Sequence, residues 1–302
     1  MDKAALLLQG AIDLHVHSAP SLTERSADSW EVLVQAAAAG MRGVLIKDHH
    51  VTTAPQAYII NRHANITGCR LYSSLCLNNA AGGLNPYAVE AAIRMGVDLV
   101  YLPTFSSQNH MDYMRRIPMA KKPEEPVAKR VQPLPGEPVR LLDEAGGLKP
   151  VVKTIIDMIA DADIILGTGH GSIAEIYEVV GYAVKTGCKK ICLTHLPAYT
   201  TNDLQELRRV TDLGVSYVEL VYEMVVRGMP AEFRYTHAQM AEFVRFFGVD
   251  RMVFSTDFGQ AHNPVPVEGM KTVIRMLLDQ GFDDEEIRTM TSKNPAKLLG
   301  IE

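Results

Sequence analysis

Five of the ten histidines fall at the ends of short apolar runs or within two residues of them: His15, His17, His49, His170 and His195. Asp257 holds the same kind of place after Arg251-Met-Val-Phe-Ser-Thr. In His15-Val-His17 the two rings are two residues apart, and on an extended strand they point to one side. Neutral imidazole is a good ligand for zinc and similar ions. His15, His17, His170 and Asp257 would make a set of three nitrogens and one oxygen, with one position left for water. Such an ion lowers the pKa of its water toward neutrality. Asp257, with one oxygen near the ion and one near the water, could take the proton and return it to a leaving group. His49 and His195 are further candidate ligands. A lone His-x-His also suits two hydrogen-bonded core histidines, so the weight rests on the shared placement at run ends.

That placement asks for a frame that brings many strand ends together. Eight apolar runs bounded by turn residues read as strands: 11–17, 43–49, 70–77, 97–102, 163–168, 190–195, 215–220 and 251–257. Helical patterns lie between them, over 27–39, 86–95, 151–160, 173–185, 203–213, 237–247 and 270–280. Several end in a glycine just before the next strand: Gly40, Gly96, Gly187, Gly214 and Gly248. Repeated βα units imply a parallel sheet. Eight of them in a chain of 302 residues predict an α/β fold, a closed (β/α)8 TIM barrel in one domain spanning 1–302. An open doubly wound sheet is the alternative, but no Gly-x-Gly-x-x-Gly follows the first strand. The C-terminal ends of barrel strands are where such folds carry chemistry.

One connection is too long. The fourth and fifth runs start 66 residues apart, at Val97 and Asp163, against about 27 to 36 for most others. The excess predicts an insertion over 105–150, rich in proline and in basic residues such as Arg115, Arg116, Lys121, Lys122, Lys129 and Arg130. Val139 to Lys149 reads as a small hairpin. A long loop on this face can be a lid, a subunit contact or a solvated surface loop.

The totals describe an ordinary globular protein: 47% hydrophobic, 22% charged, net charge −5. They favour a small-molecule substrate over nucleic acid or a membrane as partner, and a homo-oligomer is expected. Cys69, Cys76, Cys188 and Cys192 form no Cys-x-x-Cys pair and read as reduced core residues of a cytoplasmic protein. The apolar run Ala4 to Leu8 is too short for a signal-peptide core.

Asp13-Leu-His-Val-His17, Thr168-Gly-His170, Leu193-Thr-His195, Ser255-Thr-Asp257 and the tail Asp284 to Gly300 resemble the amidohydrolase superfamily of metal-dependent hydrolases. The likeness covers nearly the whole chain. It implies a barrel whose metal, zinc above all, as one ion or two, is surrounded by His15, His17, His170, His195 and Asp257. The residues Asp257, His195 and Lys47 would then take part in catalysis. The implied reaction is attack of a metal-activated water on an amide, lactone, ester or cyclic amidine. In the tail, Asn294 is expected to cap a helix with Pro295 in its first turn.

Two departures leave choices open. Two-metal members of the superfamily carry a carboxylated lysine or a glutamate at the end of strand four, where this chain reads Tyr101-Leu-Pro-Thr104. Lys47, on strand two beside His49, could supply a carbamate, bind a substrate carboxylate or oxyanion as a cation, or pair with an acid such as Glu219. The sixth-strand His195 orients the substrate in one-metal relatives and is a ligand in two-metal ones. The opening motif also resembles polymerase-and-histidinol-phosphatase-type phosphoesterases, but Lys47-Asp-His49 and Asp257-Phe-Gly259 depart from their pattern. A metal-dependent decarboxylase is the non-hydrolytic alternative. Smaller features are Asn78 to Asn85 as a turn or oxygen cradle, Arg25 as an anion contact or a cap partner, and Glu219 facing the lumen. His50 and His262 read as surface or packing residues, and Trp30 as helix packing.

Overall fold

The computed structural model describes residues 2–116, 136–197, 199–226 and 234–302. Eight parallel strands run in sequence order: β1 (Ile12–Val16), β2 (Gly43–Ile46), β3 (Arg70–Cys76), β4 (Leu99–Tyr101), β5 (Ile165–Gly167), β6 (Ile191–Leu193), β7 (Tyr217–Val221) and β8 (Met252–Ser255). The sheet closes on itself, because Asp257 N donates to His15 O at 2.8 Å and His17 N to Phe258 O at 2.8 Å. The predicted (β/α)8 barrel is therefore the fold. Several strands are shorter than their apolar runs, since the last residues of each run leave the ladder to form the mouth.

Twelve helices are described: α1 (Lys3–Leu7), α2 (Ser29–Ala38), α3 (Ala54–His63), α4 (Pro86–Arg94), α5 (Gln108–Arg116), α6 (Pro150–Asp161), α7 (Ile173–Lys185), α8 (Leu204–Thr211), α9 (His237–Phe247), α10 (Pro266–Asp279), α11 (Asp284–Arg288) and α12 (Asn294–Leu299). The sequence pattern missed α1, α3 and α5. Helix α3 buries only Ala54 and Ala57 deeply, so its apolar stripe is faint. No helix among the described residues is long and apolar enough to cross a membrane. All four cysteines are free and buried.

The core has two layers. The larger lies between strands and helices, with Val44, Val100, Leu166 and Phe254 facing Ile155, Val179, Val244 and Ile274. The smaller fills the barrel with Ile12, Leu14, Leu45, Leu99, Ile165 and Val253, and Leu298 of α12 joins it. Asn294 does not cap α12. A π-turn over Thr289–Lys293 runs straight into the helix, so Asn294 has helical φ and ψ. Its amide instead donates to Val249 O at 2.9 Å and Met252 O at 2.7 Å, tying the tail to β8. Trp30, expected to pack, is 44% exposed on α2.

The insertion after β4 begins with Phe105 and α5. Val139 bridges to Ser107, and Leu142 pairs antiparallel with Leu148, so the expected hairpin is present. Residues 117–135 of the expected insertion, with Lys121, Lys122, Lys129 and Arg130, lie outside the described residues.

Two features of the closure place the site. Between Asp13 and Val16 the β1–β2 register slips by one residue. This bulge lets Leu14 and its neighbour His15 both face inward, Leu14 into the apolar core and His15 into the mouth. It also frees Leu14 O, which accepts from the Tyr101 hydroxyl at 3.4 Å. At the other side of the seam Gly259 has φ +131°, and a Cβ there would lie 1.8 Å from His17 O. Only glycine permits that approach. Gly259→Ala should cost at least about 3 kcal/mol or prevent folding. Urea unfolding of the variant checks this, and parental stability would show that the seam tolerates a side chain.

Candidate metal centre

Each candidate residue leaves its strand as the chain turns into the mouth. His15 and His17 rise from the bulge of β1. His195 and Asp257 follow β6 and β8 with φ of +57° and +55°. Left-handed backbone costs a non-glycine residue about 1 kcal/mol or more and gathers at functional sites. Here it turns both side chains toward the barrel axis. His170 follows Gly169, whose φ is +64° and whose absent Cβ would lie 2.3 Å from Leu102 O. That contact seats His170 N on Pro103 O at 3.0 Å.

Asp257 is the hub. Its Oδ1 lies 3.0 Å from His17 Nε2 and 3.3 Å from His15 Nε2, and its Oδ2 lies 3.3 Å from His195 Nε2. His15, His195 and Asp257 offer ligand atoms all within 4.8 Å of one another. Lys47 Nζ lies 2.9 Å from His15 Nε2 and 3.5 Å from His195 Nε2, and 4.8 Å above the Tyr101 ring. His49 and His170 flank this group. The His49 ring stacks on His17 at 4.7 Å, and its Nδ1 meets Thr104 Oγ1 at 3.2 Å. The His170 ring lies 4.7 Å from that of His195. The third imidazole on the carboxylate is His195, and His170, which the spacing places in the donor set, has its ring 4.7 Å from that of His195.

Glu219 faces the lumen and does not pair with Lys47. Its oxygens lie 3.1 and 3.2 Å from His15 Nδ1. A carboxylate accepting there fixes His15 as the Nδ1–H tautomer and leaves a lone pair on Nε2. That lone pair points at Asp257 Oδ1, and neither atom holds a proton to share. A cation between them removes the conflict, and Lys47 Nζ–H approaches the same nitrogen. The Nε2 of His170 is buried with no partner among protein atoms. A lone-pair donor facing a carboxylate, and an unpartnered imidazole nitrogen close by, fit a divalent cation.

Electrostatics agrees. Burial pushes the imidazole of His15 down to about 3, His17 to about 4 and His195 to about 4, which leaves all three neutral and able to act as ligands. Burial also holds His49 and His170 well below the usual imidazole range. Burial opposes ionisation of Asp257, but the imidazoles of His15, His17 and His195 outweigh it and hold its carboxyl well below the usual range.

Several residues escaped the sequence reading. Glu223, on the short turn after β7, is buried, and Asn263 donates to its Oε2 at 2.5 Å. Burial, with the charge of Asp257 adding to it, pushes its carboxyl up to about 9. His110 of α5 and Tyr199 after β6 pack on His170, Tyr199 stacked at 4.2 Å and 16°. Nothing in their sequence spacing marked them. Asn78 is spent on structure: its amide bridges His49 O, Thr104 and Ser106 N, which ties the ends of β2, β3 and β4. Arg25 is half-buried in the loop after β1, and its charge helps to depress His17 and His49. His262 is exposed, and His50 contacts Asp48.

This barrel, with imidazoles and one carboxylate at its strand ends, has the fold of the amidohydrolase-superfamily enzymes. It aligns over 98% of each chain with an amidohydrolase from Pseudomonas aeruginosa, at 13% identity and a TM-score of 0.63. A triple mutant of an organophosphorus hydrolase from Deinococcus radiodurans aligns over 98% of this chain and 94% of its own, at 12% identity and a TM-score of 0.55. An N-acetyl-D-glucosamine-6-phosphate deacetylase from Mycobacterium smegmatis aligns over 96% and 76%, at 13% and 0.53. By sequence, residues 10–219 match the model of a family of unknown function, DUF6282, and the chain belongs to that family. No curated protein matches it.

Glu223 gives a pH test that needs no ion. Its folded pKa lies above the unfolded value, so its stabilising share is full below about 4.5 and is lost as pH rises toward 9. Glu223→Gln should therefore gain stability relative to the parent between pH 4.5 and 9. Urea unfolding at a series of pH values checks it, and a pH-independent difference would mean that the carboxyl ionises freely.

Proposed function

We propose that this protein is a metal-dependent hydrolase of small molecules, acting on an amide, lactone, ester or cyclic amidine. The observation that carries the reading is Asp257 set among the Nε2 atoms of His15, His17 and His195 at 3.0 to 3.3 Å. These residues, with His170 and His49 at the flank, are the proposed holders of one divalent ion, with room in the donor set for a second. The imidazole-rich donors favour zinc. When bound, the ion supplies a Lewis acid and a water made acidic near neutral pH.

The chain's own residues do the rest. Glu219 orients His15 by accepting a hydrogen bond from its Nδ1–H. Asp257, ionised and two-sided, accepts a proton from the attacking water on one oxygen and returns it to the leaving group. Lys47 stands against His15 and His195 with N–H groups to offer the oxygen that gains charge in the transition state. Eight strands, and a candidate metal group among the described residues with two imidazoles and one carboxylate, favour this reading over a phosphoesterase.

Metal analysis of the purified protein should find a divalent ion in near-stoichiometric amount, and His17→Ala should lose most of it. A metal-free wild type that takes up no zinc on reconstitution would end the proposal. Against a panel of lactones, esters, amides and cyclic amidines, Asp257→Asn should lower kcat about 10²- to 10⁴-fold, the range for a lost general base. Unchanged turnover would remove Asp257 from proton transfer.

A further inference from the structure

One turn of the insertion grips His170 by both its main chain and its ring. Ser107 Oγ donates to His170 O at 2.9 Å, and Asn109 Nδ2 donates to the same oxygen at 3.1 Å. Asn109 Nδ2 also reaches Tyr199 O at 2.5 Å, and the Tyr199 ring covers the His170 ring. His110, buried on α5, places its Nδ1 2.9 Å from His170 Nδ1.

A hydrogen bond between two ring nitrogens holds one proton, and the far side of His170 bears on which ring donates it. If His110 donated, His170 would carry its own proton on Nε2. That atom is buried with no acceptor among protein atoms, so an N–H there would be an unmet donor. If His170 donates, Nε2 presents a lone pair instead. A lone pair in this place can be met by a cation, and the His170 ring lies 4.7 Å from that of His195, one member of the group His15, His195 and Asp257 that could hold one.

We propose that His110 is the positioning residue for His170: it accepts the Nδ1 proton, fixes the tautomer whose Nε2 is a metal donor, and thereby couples the seating of α5 to metal loading. This rests on the metal-site reading above and deepens it. His110 reaches the site through the His170 ring. Its effect passes through His170, as the outer partner of a ligating imidazole sets ring orientation and basicity. The insertion then does two jobs with one turn, walling the mouth over β5 and β6 and completing a ligand.

The test measures zinc affinity of the full-length protein by chelator competition, beside hydrogen exchange of α5 with and without zinc. His110→Ala should weaken zinc binding about 10- to 100-fold, the usual cost of losing such a partner. His110→Asn, whose Oδ1 lies near the place of Nδ1 and only accepts, should restore most of that loss. Zinc should slow exchange in α5 of the wild type and much less in the Ala variant. Equal affinity of wild type and His110→Ala would overturn the inference. So would an Asn variant as weak as the Ala variant, because packing and not the acceptor would then be at work. A wild type that binds no zinc would fail the metal site itself, which the two affinities of a binding wild type cannot do.

Discussion

The site depends on how the barrel closes, and one buried carboxyl holds that seam. Asp13 Oδ1 accepts from His15 N at 3.2 Å and from Thr256 N at 3.1 Å, and its Oδ2 accepts from the Thr256 hydroxyl at 2.6 Å. Thr256 precedes Asp257, and His15 opens the histidine pair. One side chain therefore sets the register of the two strands that supply the carboxylate and two imidazoles facing it. Full burial raises the Asp13 carboxyl to about 7, while the three donated hydrogen bonds work the other way. The register slip in β1 and the side-chain-free Gly259 let the backbone follow this pin. Without the slip, strict alternation would turn either Leu14 or His15 out of the barrel.

Once closed, the mouth gathers groups that conflict unless a cation joins them. The Nε2 lone pair of His15 faces the ionised carboxylate of Asp257 at 3.3 Å in a buried space. Glu219 sharpens the conflict by denying His15 its Nε2 proton. The left-handed backbone at His195 and Asp257 adds further cost. A fold that needed only a packed core would bury apolar side chains here, as it does one layer below with Leu45, Leu99 and Val253. Stability is given up at the strand ends and kept in the layers beneath, which is how a barrel separates chemistry from structure.

Much of this was legible in the sequence, and the limits have physical causes. The strands announced themselves because buried parallel strands are near-continuous apolar runs, and glycines with positive φ at Gly40, Gly96, Gly187, Gly214 and Gly248 marked the helix ends. Asp257, and the His15, His17 and His195 rings that the structure brings within 3.3 Å of its carboxylate, stood out because they end such runs. Helix α5 was invisible because it is polar on nearly every side and buries only His110. His110, Tyr199 and Glu223 sit on connections, where no periodicity exists to place them. The bulge in β1 leaves no trace either, because it shifts partners and not residue types. Asn294 misled because Asn before Pro is a good cap in isolation, while here a π-turn had already started the helix.

The strand-four position shows how one departure is absorbed. Where two-metal relatives were expected to place a bridging acid or carbamate, Tyr101 stands with its hydroxyl turned away to Leu14 O and its ring beneath Lys47 Nζ. Lys47 reaches across from β2 into the gap and lies against the same Nε2 atoms that a cation would use. Lys47 Nζ and a metal ion would therefore compete for the same ring nitrogens. A cation bound to His15 and His195 would displace Nζ, and the amino group would stay within the pocket, because Lys47 is buried. It would have to come to rest near the Tyr101 ring or on an anionic oxygen brought by the substrate. The second position ties substrate charge to ion binding. It also explains why a barrel without the strand-four bridge would keep a buried lysine at the mouth, where an apolar residue would otherwise be less costly.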